Sequence, residues 1–222
     1  MNYTIGVDLG STTTKAVVLG ENEVVMGRGI TNSRSNYEVA CQVAMGEALI
    51  NTRFSLIRGR LDASGVAGDA ATARVRTLER WFRANQYRSQ LGVLARELDR
   101  FAARLLTGGK ALRPVVARIT EQMAAEIPGL FDEGTRRKSD FFRDLAGSRY
   151  MQLAEQEAKT TGVPYDQIVG LFDKAILDVE NSAEAAGQFE DHVRAAVEAL
   201  GSIHFWRLAF RPGRPVAFGQ VK

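Results

Sequence analysis

Cysteine occurs once in the 222 residues, histidine twice and proline five times. A lone Cys41 excludes an internal disulfide, and it cannot by itself hold a zinc ion or an iron–sulfur cluster. It reads as a small buried hydrophobe at a helical position, with a cluster shared across an oligomer interface as the alternative. His192 and His204 stand in unrelated contexts, and no His/Cys/carboxylate grouping has the spacing of metal ligands. No apolar run approaches the ~20 residues that a membrane-spanning helix requires. Met1-Asn-Tyr-Thr leads straight into an apolar strand with no visible signal peptide, so the expected location is the cytoplasm. No repeat of fixed period is present.

The composition is that of an ordinary globular chain, 45% hydrophobic and 25% charged, with room for one large domain or two small ones. The net charge of +3 conceals an asymmetry. Residues 53–118 carry 14 Lys and Arg against 5 Asp and Glu, and residues 119–200 carry 8 against 16. The last 22 residues hold four basic groups and no acidic one. Such a distribution fits a nucleic-acid partner, two halves of a helical domain facing each other, or docking onto an acidic subunit. The arginines alternate with apolar residues along helical segments, as on ordinary solvated helix faces, which argues against nucleic acid.

Tyr3 to Asp8 and Thr14 to Leu19 read as adjacent strands, Gly20-Glu-Asn22 as a turn and Glu23 to Met26 as a short third strand ended by Gly27-Arg-Gly29. A helix is expected from Ser35 to Ile50, capped by Ser35 or Asn36, with Val39, Val43, Ala44, Leu49 and Ile50 on its apolar stripe. Arg53 to Ile57 could be strand or helix, and Leu61 to Asp69 reads as a crossover or hinge. From Ala70 to Leu200 helical patterns dominate, over 70–87, 90–106, 110–126, 139–159, 165–179 and 183–200. The expected breaks are Gly108-Gly109, Pro128-Gly129, Gly134 and Gly162-Val-Pro164, and Ser139 and the Pro164 turn are the expected helix starts. Trp81, Phe82 and Phe101 read as helical core, Phe141-Phe142 as an interhelix anchor or an exposed patch for a partner, Arg136 to Lys138 as a solvated loop and His192 as part of an exposed face. Ile203 to Phe210 and Val216 to Val221 return to β character around Arg211-Pro-Gly-Arg-Pro215.

The chemistry concentrates between the first two strands, in Asp8-Leu-Gly-Ser-Thr-Thr-Thr-Lys15. Asp8 at a strand end can hold Mg²⁺ through its waters or orient an attacking water. Gly10 lets the backbone turn sharply and approach a ligand. Ser11, Thr12 and Thr13 offer hydroxyls beside consecutive N–H donors, and Lys15 adds a compact positive charge on the face that Thr13 shares. The stretch is neither a P-loop nor a dinucleotide-binding turn, because it opens another strand instead of a helix. A plain hairpin with a threonine-rich turn is the alternative to a phosphate site.

Val7-Asp-Leu-Gly-Ser-Thr-Thr-Thr-Lys-Ala16 resembles the first phosphate motif of the acetate kinase/sugar kinase/Hsp70/actin superfamily. The Ser and three Thr before Lys-Ala resemble the branch of 2-hydroxyacyl-CoA dehydratase activators and benzoyl-CoA reductase ATP-binding subunits. Gly27-Arg-Gly-Ile-Thr-Asn-Ser-Arg-Ser-Asn-Tyr-Glu-Val-Ala40 is similar to the larger of those subunits. The resemblance covers residues 3–57 by motif, and 70–200 only as a long helical insertion. It implies an α/β fold, a partial actin-like ATPase (ribonuclease H-like) domain at 1–69 with an all-helical insertion at 70–200 and a β return segment at 201–222. It further implies that ATP hydrolysis drives electrons from ferredoxin through a bridging [4Fe–4S] cluster to reduce an aromatic acyl-CoA, with a second ATP-binding subunit and catalytic subunits as partners. Asp8 would serve Mg²⁺ or water positioning, and Gly10, Ser11, Thr12, Thr13 and Lys15 would contact the β- and γ-phosphates of ATP. A second phosphate loop resembling D-I-G-G-Q-D and the cluster segment resembling N-D-K-C-A-A-G-T-G do not occur in these residues. The chain is thus expected to correspond to the N-terminal half of such a protein and to be a poor ATPase alone. The alternatives are a non-catalytic scaffold of the same fold and an activator of a 2-hydroxyacyl-CoA dehydratase.

Overall fold

A computed structural model describes residues 3–33, 37–65, 68–137, 139, 141–181, 189–209 and 215–221. The side chains of 181, 189, 190 and everything from 200 onward lie outside the description. The fold is mixed α/β and mostly helical, with a small three-stranded antiparallel sheet. The chain divides into two compact units, Met1–Glu79 and Arg80–Lys222. Among the described residues no helix is long and apolar enough to cross a membrane.

In the first unit β1 (Thr4–Leu9), β2 (Thr13–Leu19) and β3 (Val25–Asn32) form a meander in the order β1-β2-β3, and α1 (Tyr37–Ala63) packs on β2 and β3. The third strand runs well past Met26, where the two glycines were expected to end it. Gly27 and Gly29 lie inside it because the helix backbone passes directly over them. A Cβ on Gly29 would sit 2.0 Å from the Ala44 carbonyl oxygen, and one on Gly27 would sit 2.3 Å from that of Ala48. Glycine inside a strand often marks such a close approach of another backbone.

The helix side of this seam is equally small. Ala40, Ala44, Ala48 and Thr52 recur every four residues and are all buried, with the Thr52 hydroxyl donating to the Ala48 carbonyl. Of the expected stripe Ala44 is buried, as expected, while Val43 and Leu49 are exposed. Residues 51–63 continue the helix, which settles the ambiguity at Arg53 to Ile57: Phe54, 3% exposed, extends the buried face. Residues 34–36, where the N-cap was expected, lie outside the described residues. The sheet face under α1 carries Thr14, Ala16 and Val18, and the opposite face carries Thr13, Lys15, Val17 and Leu19.

The second unit holds most of α2 (Asp69–Ala103), followed by α3 (Gly109–Leu130), α4 (Phe142–Thr161), α5 (Tyr165–Asn181) and α6 (Phe189–Leu200). Helix α2 runs unbroken through residues 88 and 89, where a break was expected. Leu91, Leu94 and Leu98 keep its buried face continuous across that point. Gly162 stops α4 in the left-handed region, as expected, with a φ of 74°, while Gly108, with a φ of 80°, is the N-cap of α3 and lies past the end of α2 at Ala103. Pro128-Gly129 falls inside the last turn of α3, and Ile127 immediately before it is fully buried, so the helix continues to Leu130. Ser139 is not the N-cap of α4: Phe141 holds that position, and the Ser139 hydroxyl accepts from the Phe141 N–H and donates to Asp144.

Tyr87, Leu94, Leu98, Ile119, Met123, Ile127, Phe142, Tyr150, Ile168, Phe172 and Ile176 build the core of this unit. Phe142 meets Tyr87 edge-on at 5.2 Å, so it anchors α4 to α2 as expected. The Tyr150 hydroxyl donates to the Ile168 carbonyl at 3.2 Å, and burial pushes its proton affinity up. Burial, then the Glu126 charge, pushes Tyr87 up to about 12. The expected α5 stripe is buried at Ile168, Leu171, Phe172 and Ile176, while Leu177 is exposed. His192, expected on an exposed face, is 6% exposed and sits edge-on to Phe82 at 5.5 Å. An aromatic neighbour shelters the imidazole carbons, which period alone does not reveal. The strands β4 (Gly201–Ala209) and β5 (Pro215–Val221) pair with each other in a two-stranded sheet.

Part of the charge asymmetry is matched inside this unit. Arg118 pairs with Glu157 at 2.6 Å, Arg100 with Asp178 and Arg80 with Glu133, each joining the basic stretch to the acidic one. Arg149 grips Glu126 with two nitrogens, at 2.6 and 2.7 Å. The two halves of the helical region therefore face each other electrostatically, which was one of the readings left open by the sequence. Exposed pairs of this kind each contribute little, ~0.2–1 kcal/mol. They also select which helix faces meet, because mismatched faces would bring like charges together.

Two outcomes follow from this packing. Gly29→Val should lower the stability of the first unit by about 1–3 kcal/mol or more, since backbone must move to admit the side chain. Hydrogen exchange checks it: amides of β2, β3 and α1 should lose protection, while those of α3 to α5 keep theirs. Arg149 holds the Glu126 carboxyl below its ordinary 4.5, against the opposing effect of burial. Its contribution is present above pH 4.5 and is lost as the pH falls below that value. Thermal unfolding of Glu126→Gln should accordingly show a shallower loss of Tm on acidification than the unaltered protein.

Candidate phosphate-binding hairpin

The register of the first two strands decides what the turn can do. Asp8 pairs across from Lys15, Val7 from Ala16 and Leu9 from Thr14. Directly opposed residues share a sheet face, with Cβ atoms roughly 4.5–5.5 Å apart. Asp8 and Lys15 thus stand side by side on the face away from α1, and alternation puts Thr13 on the same face at the turn end of β2. Asp8 and Lys15 are both exposed. Among the described residues neither makes an ion pair within 4 Å, so both charges are open to a ligand.

The turn itself is tight. The Gly10 N–H donates to the Thr13 carbonyl at 3.1 Å, leaving Ser11 and Thr12 as its exposed tip. A Cβ at position 10 would lie 2.6 Å from the Thr13 carbonyl oxygen, so only glycine fits without opening the turn. Ser33, just beyond β3, locks the turn from the other side: its N–H donates to the Thr12 carbonyl at 2.8 Å. Its hydroxyl also lies 2.7 Å from that of Thr14.

This arrangement divides the run of four hydroxyls. Thr14 is fully buried, and its polar atom is satisfied by Ser33, so it serves the fold. Ser11, Thr12 and Thr13 remain around the tip with Gly10. All six residues singled out in the sequence, Asp8, Gly10, Ser11, Thr12, Thr13 and Lys15, therefore gather on one hairpin. Ser33 was not singled out. Its polar neighbourhood just ahead of the expected cap at Ser35 or Asn36 was the available signal.

Asp8 is the single carboxylate of the hairpin. Among the described residues no group of three or more His, Cys, Asp or Glu is placed to hold a metal ion. One carboxylate suits a hard cation that keeps most of its waters, as Mg²⁺ does, and does not suit a cation held wholly by protein. Cys41 is half-buried on α1, more open than a fully buried hydrophobe, with its thiol 3.7 Å from the Met45 sulfur. His204 lies among the residues whose side chains are not described.

Comparison with protein-family models, with curated proteins and with solved structures returns no match for this chain.

Gly10→Ala should strain the hairpin without unfolding the sheet. The expected result is large amide shifts confined to residues 9–14 and 33, and a stability loss of about 1–3 kcal/mol. Amide spectra and urea unfolding measure the two effects. Unchanged shifts at Ser33 would mean that the turn is not tied to β3 as described.

Proposed function

We propose that the β1–β2 hairpin is the first phosphate-binding loop of an actin-like (ribonuclease H-like) ATPase domain. On this reading the chain is the ATP-binding component of a benzoyl-CoA reductase-type system. ATP hydrolysis there drives low-potential electrons from ferredoxin toward an aromatic ring, with a second ATP-binding subunit and catalytic subunits as partners. The observation that carries the reading is the grouping of Asp8, Thr13 and Lys15 on one open face, beside a turn that only glycine permits. Lys15 would meet phosphate oxygens as a point charge, and the tip at Ser11 and Thr12 would donate to them. Asp8 would hold Mg²⁺ through its waters, and the ion would neutralise charge on the phosphates.

The family's [4Fe–4S] cluster does not fit these residues. Four thiolates are the usual requirement, and the sequence supplies Cys41 alone. The adenosine site and the second phosphate loop have no counterpart in the sequence either, so nucleotide affinity and turnover of this chain alone should be low. A second reading, a scaffold of the same fold, draws on the exposure of β1. Ile5, Val7 and Leu9 are each more than a third exposed along an edge strand, as expected of a sheet that another chain extends.

Titration with MgATP, followed through the amides of residues 8–15 and by calorimetry, tests the first reading. Weak, saturable binding that Lys15→Ala reduces about tenfold or more is expected, the loss of a charged hydrogen bond being ~1.5–3 kcal/mol. No response of these amides to millimolar MgATP would remove the ATPase reading and leave the scaffold.

A further inference from the structure

The third strand packs with one face and leaves the other open. Gly27, Gly29 and Thr31 are buried, while Arg28, Ile30 and Asn32 are exposed on the opposite side. That open side is the face of Asp8, Thr13 and Lys15. In the register of β2 and β3, Thr13 opposes Asn32, Lys15 opposes Ile30 and Val17 opposes Arg28. Lys15 therefore has Asp8 directly beside it on β1, and Arg28 and Asn32 as diagonal neighbours on β3, roughly 7–8 Å away.

Both β3 positions are fixed through the backbone. The Arg28 carbonyl accepts from Asn51 Nδ2 of α1 at 2.7 Å. Asn32 is followed by Ser33, which ties this end of the strand to Thr12 and Thr14. The Arg28 guanidinium itself has no ion pair or hydrogen bond among the described residues. Arg118 and Arg149 of the second unit, by contrast, each grip a carboxylate.

The charges of the face do not balance. The three strands place two cations on it, Lys15 and Arg28, and one carboxylate, Asp8, which stands opposite Lys15. Arg28 is left beside Val17 and Ile30, with no acidic neighbour on the sheet. Two cations this close repel each other, and the fold does not need the second one, because β3 packs through its glycines.

We propose that the anion site runs from the hairpin across β3, and that Arg28 selects a chain of two or more phosphoryl groups over a single one. The inference rests on the hairpin being a phosphate site and names what that site prefers. A phosphoryl group at the turn is met by Ser11, Thr12, Thr13 and Lys15, with the Asn32 amide as a further donor beside Thr13. Successive cross-strand pairs on one face lie roughly 6–7 Å apart along the strand. Arg28 stands two such steps from Thr13, too far for a lone phosphate seated at the turn. A phosphoryl chain that passes Lys15 comes within its reach, and the guanidinium fork takes two oxygens of one group at once.

Inorganic phosphate and tripolyphosphate, each titrated with Mg²⁺ into the full chain, provide the test, followed through the amides of residues 8–15 and 28–32. Tripolyphosphate should bind more tightly than phosphate. Arg28→Ala should weaken tripolyphosphate roughly tenfold and leave phosphate nearly unchanged, whereas Lys15→Ala should weaken both. Arg28→Lys should recover part of the lost affinity. Arg58→Ala, which removes an exposed cation from α1, should alter neither. Amide spectra show whether each variant is folded. If Lys15→Ala weakens tripolyphosphate and Arg28→Ala does not, the role of Arg28 is overturned and the hairpin reading stands. The same holds if Arg28→Ala weakens phosphate equally, or if Arg58→Ala matches its effect. Saturable binding of neither anion at millimolar concentration overturns the hairpin reading together with the inference.

Discussion

The near-contact of two backbones, β3 and α1, governs the first unit. Gly27 and Gly29 on the strand meet Ala44 and Ala48 on the helix with no room for a Cβ between them. That contact sets the depth and direction of the helix over the sheet. It thereby decides which face of β2 is buried, since Ala16 and Val18 pack beneath α1. Lys15 and its cross-strand neighbour Asp8 are left on the opposite face by strand alternation alone. The position of the charged pair thus follows from which sheet face the helix covers. Ser33 extends the same logic to the turn, because the end of β3 holds the Thr12 carbonyl and the Thr14 hydroxyl.

The second unit is organised differently. Its core is a continuous set of large apolar side chains from α2 to α5, and the arginine-rich stretch is matched to the acidic one by ion pairs between helices. Pairing between the halves is what a bundle needs to choose among similar apolar faces.

A hairpin with a lysine and an aspartate on one face is half of a nucleotide site at most. Phosphates need donors from more than one side to exclude water, and among the described residues the first unit provides only the open face of its sheet. The exposed β1 edge has the same character: strand hydrogen-bonding capacity and apolar residues without a neighbour in this sheet. Both features make the first unit one component of a larger active assembly in the proposed reading.

The local pattern determined the hairpin. Apolar runs on either side of Gly10 and the alternation of Thr13 with Lys15 specify two strands and a turn, whatever packs against them. The helical character of the described parts of 70–200, the breaks at Gly108 and Gly162 and the two tail strands were legible for the same reason: period and punctuation are local. The length of β3, the small-residue face of α1, the burial of His192 and the continuity of α2 past residue 88 were not. Each depends on a contact between residues distant in sequence. Glycine reads locally as a strand ender, and only an overlying helix turns Gly27 and Gly29 into a packing seam. Valine reads as a core residue, and only the depth of that seam leaves Val43 outside and puts alanine within. Division of the four hydroxyls into three at the tip and one beneath the sheet was likewise decided by tertiary structure, because a side chain's face has meaning only once a helix covers one side.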